Sequence, residues 1–244
     1  QSYFLCQLSQ NQLSKALFPI GELTKPEVRE IAREIGLVTA DKKDSQGLCF
    51  IGKVSLPTFL QQQLIPKEGE IVEIFSDYKE FHKGMLIFET KLDELKYLSK
   101  KIKYQKEDGK VIGKHQGAQF FTIGQSKGLG IGGHKESCFI IDRDMENNIL
   151  FVGEGKNFPG LYRKALKINN DEVHWVREDL RLKNGESMNV KARIRYRQPL
   201  EDAVLYQYKE GFFIEFENPQ SAIAEGQFAA WYQGEELLGS GVIS

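Results

Sequence analysis

Cys49 is the thiol whose neighbours best suit a nucleophile. It lies in the run Lys42-Lys43-Asp44-Ser45-Gln46-Gly47-Leu48-Cys49-Phe50-Ile51-Gly52. Lys42 and Lys43 would lower the pKa of the thiol and raise the fraction of thiolate, which is the nucleophilic form. The apolar residues beside Cys49 would instead raise that pKa, because burial disfavours the charged form. From these residues alone, a reactive thiol and a buried small side chain both remain open.

The remaining cysteines and the histidines favour packing over chemistry. Cys6 follows Tyr3-Phe4-Leu5 and Cys138 precedes Phe139-Ile140-Ile141, so both are predicted to fill the core. The four histidines form no HxxxH or HExxH pattern and no close pair with a cysteine, which predicts no metal site. Three scattered cysteines are too few for a disulfide framework and favour a reducing, cytoplasmic compartment.

A glycine-rich stretch from Thr122 to Gly133 holds five glycines in twelve residues. Glycines permit positive φ and a close approach of the backbone to another group. The stretch lacks the Gly-Lys-Ser/Thr ending of a phosphate-binding loop and does not match the GxGxxG of a dinucleotide fold. Two interpretations remain, a structural hairpin loop or a loop whose amides meet a phosphate or a partner backbone.

Charge is unevenly distributed, although the net charge of the chain is only −1. Residues 161–200 hold ten Lys or Arg against five acids, whereas residues 201–244 hold one Lys against eight acids. Around residue 190, small and apolar side chains alternate with Lys191, Arg193, Arg195 and Arg197, which predicts a strand with a cationic face. Such a face either contacts nucleic acid or is simply solvated.

Helical signals precede residue 76. Thr24 followed by Glu27 is a capping-box pattern, and Gly36 is expected to end that helix in the left-handed region. An earlier helix is predicted over residues 9–17 and an alternating strand over residues 70–74.

Residues 76–108 differ from the rest by their many lysines. Apolar residues recur there at helical spacing, which predicts an amphipathic helix whose lysines coat a solvated face. The residues that carry this pattern are Met85, Phe88, Leu92, Leu95 and Ile102.

From residue 162 onward the sequence consists of short strands and turns. Hairpin turns are predicted at residues 209–211 and 233–234, and five or six strands at this spacing favour a small barrel or a sandwich. We therefore predict an α+β fold with a short helical segment carrying the cysteine loop (1–56), a small central α/β domain (57–160) and a C-terminal antiparallel β-barrel (161–244).

The 244-residue length and the 41% hydrophobic content predict an ordered globular chain of one to three domains. No window is apolar enough for a membrane helix, and no secretory leader opens the chain. Because the first residue is Gln1 rather than Met, the chain is expected to belong to something longer.

Six strings occurring in one order resemble the tRNA-specific 2-thiouridylases, enzymes that place sulfur on the wobble uridine of certain tRNAs. The likeness extends over the chain except for about residues 76–108. The strings are Gln1-Ser-Tyr-Phe-Leu5, Leu17-Phe-Pro-Ile-Gly-Glu-Leu23, Lys43-Asp-Ser-Gln-Gly-Leu-Cys-Phe-Ile-Gly52, Gly124-Gln-Ser-Lys-Gly-Leu-Gly-Ile-Gly-Gly133, Glu146-Asn-Asn-Ile-Leu150 and Arg195-Tyr-Arg-Gln198.

The resemblance implies roles for particular residues. It places the second catalytic cysteine, the persulfide carrier, at Cys49, and proximity alone suggests Asp44 as a residue that orients its loop. The tRNA contacts that it implies are Gln1, Arg195, Tyr196 and Gln227, with Lys127 as the remaining cation of the glycine-rich loop, where the family usually carries Arg at Ser126.

The resemblance also implies a mechanism and partners. An N-terminal domain that is not in this sequence would bind ATP and carry the first catalytic cysteine. By this resemblance, ATP would activate the C2 oxygen of uridine, and a sulfur-donor protein (a relay protein or a cysteine desulfurase) would load Cys49 as a persulfide. The terminal sulfur would attack C2 directly or after release as sulfide, and the first cysteine would form a disulfide with Cys49 or free the sulfide. The base must leave the anticodon stack to be reached. We expect no metal within this chain and a monomeric protein that binds no membrane.

Two other functions stay open from the sequence. The chain could be a stand-alone RNA-binding module whose cationic strand is the working surface and whose Cys49 is inert. It could also be a redox-sensing protein that binds no nucleic acid. The long, lysine-rich segment 76–108 departs from the family pattern, and its expected role is only to cap the central domain.

Overall fold

The computed structural model describes residues 2–42, 64–84 and 86–244, in two compact units formed by residues 1–9 with 66–244 and by residues 10–65. The α-helices are Gln10–Leu13 (α1), Lys25–Glu34 (α2) and Lys91–Ser99 (α3). The strands are Gly69–Glu73 (β1), Lys110–His115 (β2), Cys138–Asp144 (β3), Ile149–Glu154 (β4), Tyr162–Trp175 (β5), Ser187–Arg193 (β6), Glu201–Tyr208 (β7), Gly211–Ser221 (β8), Phe228–Gln233 (β9) and Glu236–Ile243 (β10). None of the helices within these ranges has the length and apolar character that crossing a membrane requires.

Helix α2 begins and ends as its sequence predicts. The backbone N–H of Thr24 donates to the carboxylate of Glu27 over 2.6 Å, which satisfies an amide at the helix start. Gly36 adopts a φ of +71°, the left-handed conformation that ends the helix. The earlier helix is shorter than the predicted range 9–17, because α1 covers only Gln10–Leu13.

A four-stranded mixed sheet forms the centre of the larger unit. Its strand order is β2-β1-β4-β3, with β1 parallel to β4 and the other pairs antiparallel. Ile71 and Val72 of β1 and Leu150 of β4 are fully buried, because side chains on both faces of the sheet pack into apolar clusters. This sheet is the small α/β part of the predicted fold.

The C-terminal strands form a closed barrel in the order β10-β5-β8-β7-β6-β9. Leu205, Phe216 and Trp231 are fully buried in its interior. Burying a side chain of Leu or Phe size contributes roughly 1.5–3 kcal/mol, so these residues are major contributors to the stability of the barrel. The structure confirms the α+β class and the antiparallel barrel, and closure removes the open edges of a sandwich.

The lysine-rich segment contains a shorter helix than the sequence predicts. Helix α3 begins after Thr90, whose hydroxyl accepts a hydrogen bond from the amide of Asp93 over 3.1 Å, and it ends at Ser99. Leu95 is fully buried against the outside of the barrel. Phe88 and Ile102 lie outside the helix, so the long amphipathic helix was wrong: the cap at Thr90 fixes its start, and Ile102 packs instead against the central sheet.

Candidate nucleic-acid interface

The turn that follows β6 carries two of the predicted tRNA contacts, Arg195 and Tyr196. The strand ends at Arg193, because the amide of Ile194 donates to the side-chain oxygen of Gln198 over 3.0 Å instead of continuing the ladder. The side-chain amide of Gln198 in turn donates to Gln220 over 2.6 Å. The predicted cationic strand therefore stops early, and Arg195 and Tyr196 project from a braced turn.

Arg195 is fixed by the backbone of a neighbouring loop. Its guanidinium donates to the carbonyl oxygen of Ala222, a residue in the left-handed conformation with a φ of +54°. Within residues 2–42, 64–84 and 86–244, no carboxylate lies at ion-pair distance from Arg195 or Arg197. In this part of the chain, neither cation is neutralised by a contacting carboxylate.

Tyr196 forms an aromatic platform with a residue from the other end of the chain. The rings of Phe4 and Tyr196 lie 4.4 Å apart between centroids, at an interplanar angle of 38°. The side chain of Phe4 is 70% exposed and that of Tyr196 is 36% exposed. An exposed aromatic pair beside arginines is the arrangement on which unpaired bases stack.

Residues 2–8 are attached to the barrel by both burial and hydrogen bonds. The Tyr3 hydroxyl lies 2.8 Å from the carbonyl oxygen of Phe228 and 3.2 Å from that of Ile194. Cys6 is buried, and its carbonyl accepts a hydrogen bond from the hydroxyl of Ser240 over 2.7 Å. These contacts hold Phe4 beside the Arg195 turn. Cys6 is a packing residue, and burial raises the pKa of its thiol.

Arg193 contacts the backbone of Tyr196 and so helps to hold the aromatic platform in place. Its guanidinium lies over the ring of buried Tyr232, 5.3 Å from the centroid, and donates to the carbonyl oxygen of Tyr196 over 3.2 Å. A cation–π contact of this kind contributes about 0.5–2 kcal/mol. Arg193 therefore positions the turn, whereas Arg195 is partly buried and Arg197 is exposed.

The glycine-rich loop reaches the same part of the barrel. Hydrogen bonds between Gly124 and Ile140 and between Ile140 and Gln125 pin the loop to β3, over 2.7 and 2.9 Å. A side chain on Gly124 would meet Ala222, because its Cβ would lie 2.6 Å from that of Ala222. Ala222 is the residue whose carbonyl accepts the hydrogen bond from Arg195. The glycine-rich loop, which carries the exposed Lys127, therefore lies against the residue that fixes Arg195.

Gln227 lies where β9 begins, next to the residue that anchors Tyr3. Its carbonyl accepts a hydrogen bond from the amide of Ile243 over 2.8 Å, and the preceding Gly226 has a φ of +81°. Because Gln227 directly precedes Phe228, it lies at the same rim of the barrel as Tyr3. Gln1, Asp44 and Cys49 lie outside the described residues, so their predicted roles stay predictions.

The structure also assembles a group of side chains that the sequence analysis did not combine. Ligand-type atoms of Glu73, His134 and Cys138 lie within 4.8 Å of one another, and a ring nitrogen of His134 is 3.2 Å from the Glu73 carboxylate. Burial and the charges of Glu73 and Glu154 raise the pKa of the Cys138 thiol to about 11. This thiol is protonated at neutral pH. Glu73 and His134 form a polar pair beside it. The four-residue spacing from His134 to Cys138 was the missed signal.

The sequence analysis also missed Phe4 as a partner of Tyr196. Nothing local marks it, because one residue belongs to the first turn of the chain and the other to a loop of the barrel. The signal available was indirect: the strings that contain Phe4 and Tyr196 are both among the six that carry the family likeness.

Three family models match separate parts of the chain. The tRNA methyl transferase HUP domain matches residues 1–53, the tRNA methyl transferase PRC-barrel domain matches residues 95–154, and the aminomethyltransferase beta-barrel domain matches residues 165–243. The third range contains nearly all of the closed barrel.

Curated relatives are similar to the chain over its whole length. The tRNA-specific 2-thiouridylase MnmA of Christiangramia forsetii is 60% identical, that of Flavobacterium johnsoniae 61% and that of Karelsulcia muelleri 48%. Each comparison covers 100% of this chain, but 62%, 62% and 61% of the respective relative. The chain thus spans about three fifths of the length of the curated relatives it matches.

Proposed function

The chain belongs to the tRNA-specific 2-thiouridylase family, and on that premise we propose that it supplies the sulfur-carrying cysteine and a tRNA-contacting surface of a tRNA-uridine 2-sulfurtransferase. The substrate is the wobble uridine of a tRNA. The sulfur comes from a donor protein of the relay or desulfurase type.

The observation that carries this proposal is the platform of Phe4 and Tyr196 with its adjacent arginines. Two segments at opposite ends of the sequence meet there, with ring centroids 4.4 Å apart. Within the described ranges no carboxylate contacts Arg195, so a phosphate of the RNA beside its guanidinium would neutralise its charge. Base stacking on the rings and phosphate binding by the arginines together suit the single-stranded loop of a tRNA.

We assign the sulfur chemistry to Cys49. A donor persulfide transfers its outer sulfur to the Cys49 thiolate, and the donor keeps its own cysteine as a thiolate. The outer sulfur of the Cys49 persulfide attacks C2 of uridine and the activated oxygen leaves. A second thiol then attacks the Cys49 sulfur, so that a disulfide forms and the sulfur remains on C2. A reductant restores the two thiols.

Binding and positioning are the part of the reaction assigned to the described residues. ATP supplies the leaving group at the C2 oxygen, and the resemblance assigns ATP binding to an N-terminal domain that is not among these 244 residues. No step is therefore assigned to a nucleotide site on this chain. Arg195, Tyr196, Gln227 and Lys127 are the proposed tRNA contacts, and Arg193 positions the turn.

A stand-alone RNA-binding module is the alternative, because the platform is complete without Cys49. Persulfide trapping separates the two. The protein is incubated with a cysteine desulfurase and cysteine, and its intact mass is measured before and after reduction. We expect a reducible gain of one sulfur atom that Cys49→Ser abolishes and that Cys6→Ser and Cys138→Ser retain. Retention of tRNA binding without sulfur loading of Cys49 would favour the binding module.

A further inference from the structure

A cavity of about 790 Å³ lies between the lysine-rich segment and the start of β5, within the larger unit. Eight of the residues lining it are Lys or Arg, and three are Asp or Glu. We call it the cationic cleft and define it by Lys79, Lys100, Lys101 and Lys103 on one wall and Arg163 and Lys164 on the other. The sequence alone predicted only a solvated lysine face here.

Arg163 places a positive charge in the cleft without a contacting counterion. Its guanidinium donates to the carbonyl oxygens of Ser99 over 2.9 Å and Ile223 over 2.7 Å. Burial lowers the pKa of Arg163, but an arginine stays charged in proteins. Within the described ranges, no carboxylate lies at ion-pair distance from it. Backbone carbonyls orient this guanidinium, and the charges of Glu225 and Asp142 favour its charged form from beyond ion-pair distance.

The lysines of the cleft divide into paired and unpaired groups. Lys83 contacts Glu80 over 2.6 Å, and Lys101 contacts buried Asp142 over 2.7 Å. The unpaired lysines have no carboxylate at ion-pair distance in the part of the chain that the structure describes. They are Lys79, Lys100, Lys103 and Lys164. Like charges gathered on facing walls repel one another, and an anion bound between them relieves that repulsion.

The positive surface continues beyond the first cavity. A second cavity of about 400 Å³ shares Lys100, Lys101 and Arg163 with it and adds Lys167 and Lys96 along the barrel. Lys96 contacts Glu210 over 3.3 Å, and Glu210 and Glu225 are the acids that line this cavity, so its cations still outnumber its acids. A compact anion would need only two or three cations at one point. An elongated row of cations suits a ligand that carries negative charges at regular intervals.

We propose that the cationic cleft binds the phosphodiester backbone of RNA, as a second contact that is separate from the Phe4–Tyr196 platform. This inference rests on the proposed function, since it assigns a further surface to the same RNA. Three of the four unpaired lysines, Lys79, Lys100 and Lys103, come from the lysine-rich segment 76–108. The segment would then extend RNA binding rather than only cap the central domain.

The test uses the full-length protein and an unmodified tRNA, with binding followed by fluorescence anisotropy at several salt concentrations. The cleft variant is Lys100→Gln/Lys103→Gln/Lys164→Gln. The matched control, Lys110→Gln/Lys183→Gln/Lys209→Gln, removes the same charge from exposed residues that line neither cavity. Arg163 is left intact, because its hydrogen bonds are structural. Thermal unfolding midpoints verify that each variant is folded.

We expect the cleft variant to bind tRNA about tenfold more weakly at roughly 0.15 M salt, and the slope of log K against log salt to fall by about two to three. The control variant should change neither quantity comparably. Equal effects of the two triple variants would overturn the proposal, since they would reflect net charge alone. A cleft variant with wild-type affinity and slope would overturn it as well.

Two further arms identify the ligand and separate the two proposals. If pyrophosphate or ATP stabilises the wild type but not the cleft variant while tRNA affinity is unchanged, the cleft is a small-anion site and the RNA proposal falls. If Arg195→Ala weakens tRNA binding and the cleft variant does not, the proposed function stands and only this inference fails. If the wild type does not bind tRNA, the proposed function itself fails.

Discussion

The hydroxyl of Tyr3 donates a hydrogen bond to the backbone carbonyl of Phe228 over 2.8 Å, and it lies 3.2 Å from the carbonyl of Ile194. Phe228 begins β9 and Ile194 follows the last residue of β6. These two strands pair up to Arg193 and Ala230, so Tyr3 lies where their ladder ends. One side chain therefore joins the first turn of the chain to the rim of the barrel that carries Arg195.

Replacing Tyr3 with Phe tests this connection. The ring stays, but the carbonyl oxygen of Phe228 loses the hydroxyl that donates to it, so we expect the free energy of unfolding to fall by about 1 kcal/mol. Because Phe4 then loses its support, tRNA affinity should also fall. Chemical denaturation and anisotropy measure the two effects. The matched control is Tyr208→Phe, and an equal loss in both variants would mean that the Tyr3 hydroxyl has no special role.

The aromatic platform predicts a non-additive loss of RNA binding. Phe4→Ala and Tyr196→Ala should each weaken tRNA binding by about 1–3 kcal/mol, the usual effect of removing a stacking ring. The double variant should lose less than the sum, because each ring supports the other across 4.4 Å. Phe18→Ala, which removes another exposed ring, is the control. Strictly additive losses would show that the rings act separately.

The sequence predicts local features of this fold better than distant contacts. The helix from Lys25 to Glu34 follows from signals within one turn of its ends, and the strands of the barrel follow from their alternation and turns. These features depend on neighbouring residues, which is why periodicity and capping patterns detect them.

The misses concern tertiary contacts. The predicted helix in the lysine-rich segment is longer than the observed one, because periodicity cannot show that Ile102 packs on the sheet rather than continuing a helical face. The cationic strand was extended through Tyr196, because alternation cannot show that the side chain of Gln198 takes the amide of Ile194. The contact of Phe4 with Tyr196 joins two ends of the chain and leaves no periodic trace.

His115 predicts a loss of stability in mild acid. The ring is buried and its Nδ1 accepts the amide hydrogen of Gly117 over 2.9 Å, which requires an unprotonated Nδ1. Burial lowers the pKa of His115 from its ordinary value of 6.5. As the pH falls, the unfolded chain therefore takes up a proton at this site before the folded chain does. The contribution of a neutral His115 to the free energy of unfolding is present above the ordinary pKa and is lost as the pH falls below it.

The measurement is the unfolding midpoint between about pH 7.5 and pH 5.5. His115→Asn offers an amide oxygen near the position of Nδ1 and does not titrate, so its midpoint should depend less on pH than that of the wild type. His82→Asn, at a more exposed ring, should keep the wild-type dependence. A His115→Asn profile as steep as the wild-type profile would assign the acid sensitivity to other groups.

Glu73 predicts a graded change in the chemistry of Cys138. Burial is the largest cause of the raised thiol pKa of about 11, followed by the charge of Glu73 and then that of Glu154. Replacing Glu73 with Gln removes one negative charge, so the Cys138 pKa should fall and its thiolate fraction at a given pH should rise. Glu154→Gln should act in the same direction but less strongly. Glu136→Gln, at a carboxylate that is not among these causes, should leave the pKa unchanged.

The pH dependence of Cys138 alkylation, followed by mass spectrometry of the peptide that contains it, measures this pKa. In the wild type, Cys138 should react slowly near pH 8, because little of a thiol with a pKa of about 11 is ionised there. If Glu73→Gln speeds the reaction equally at every pH, the variant has opened the structure rather than shifted the pKa. A rate profile displaced to lower pH is the result that the charge argument requires.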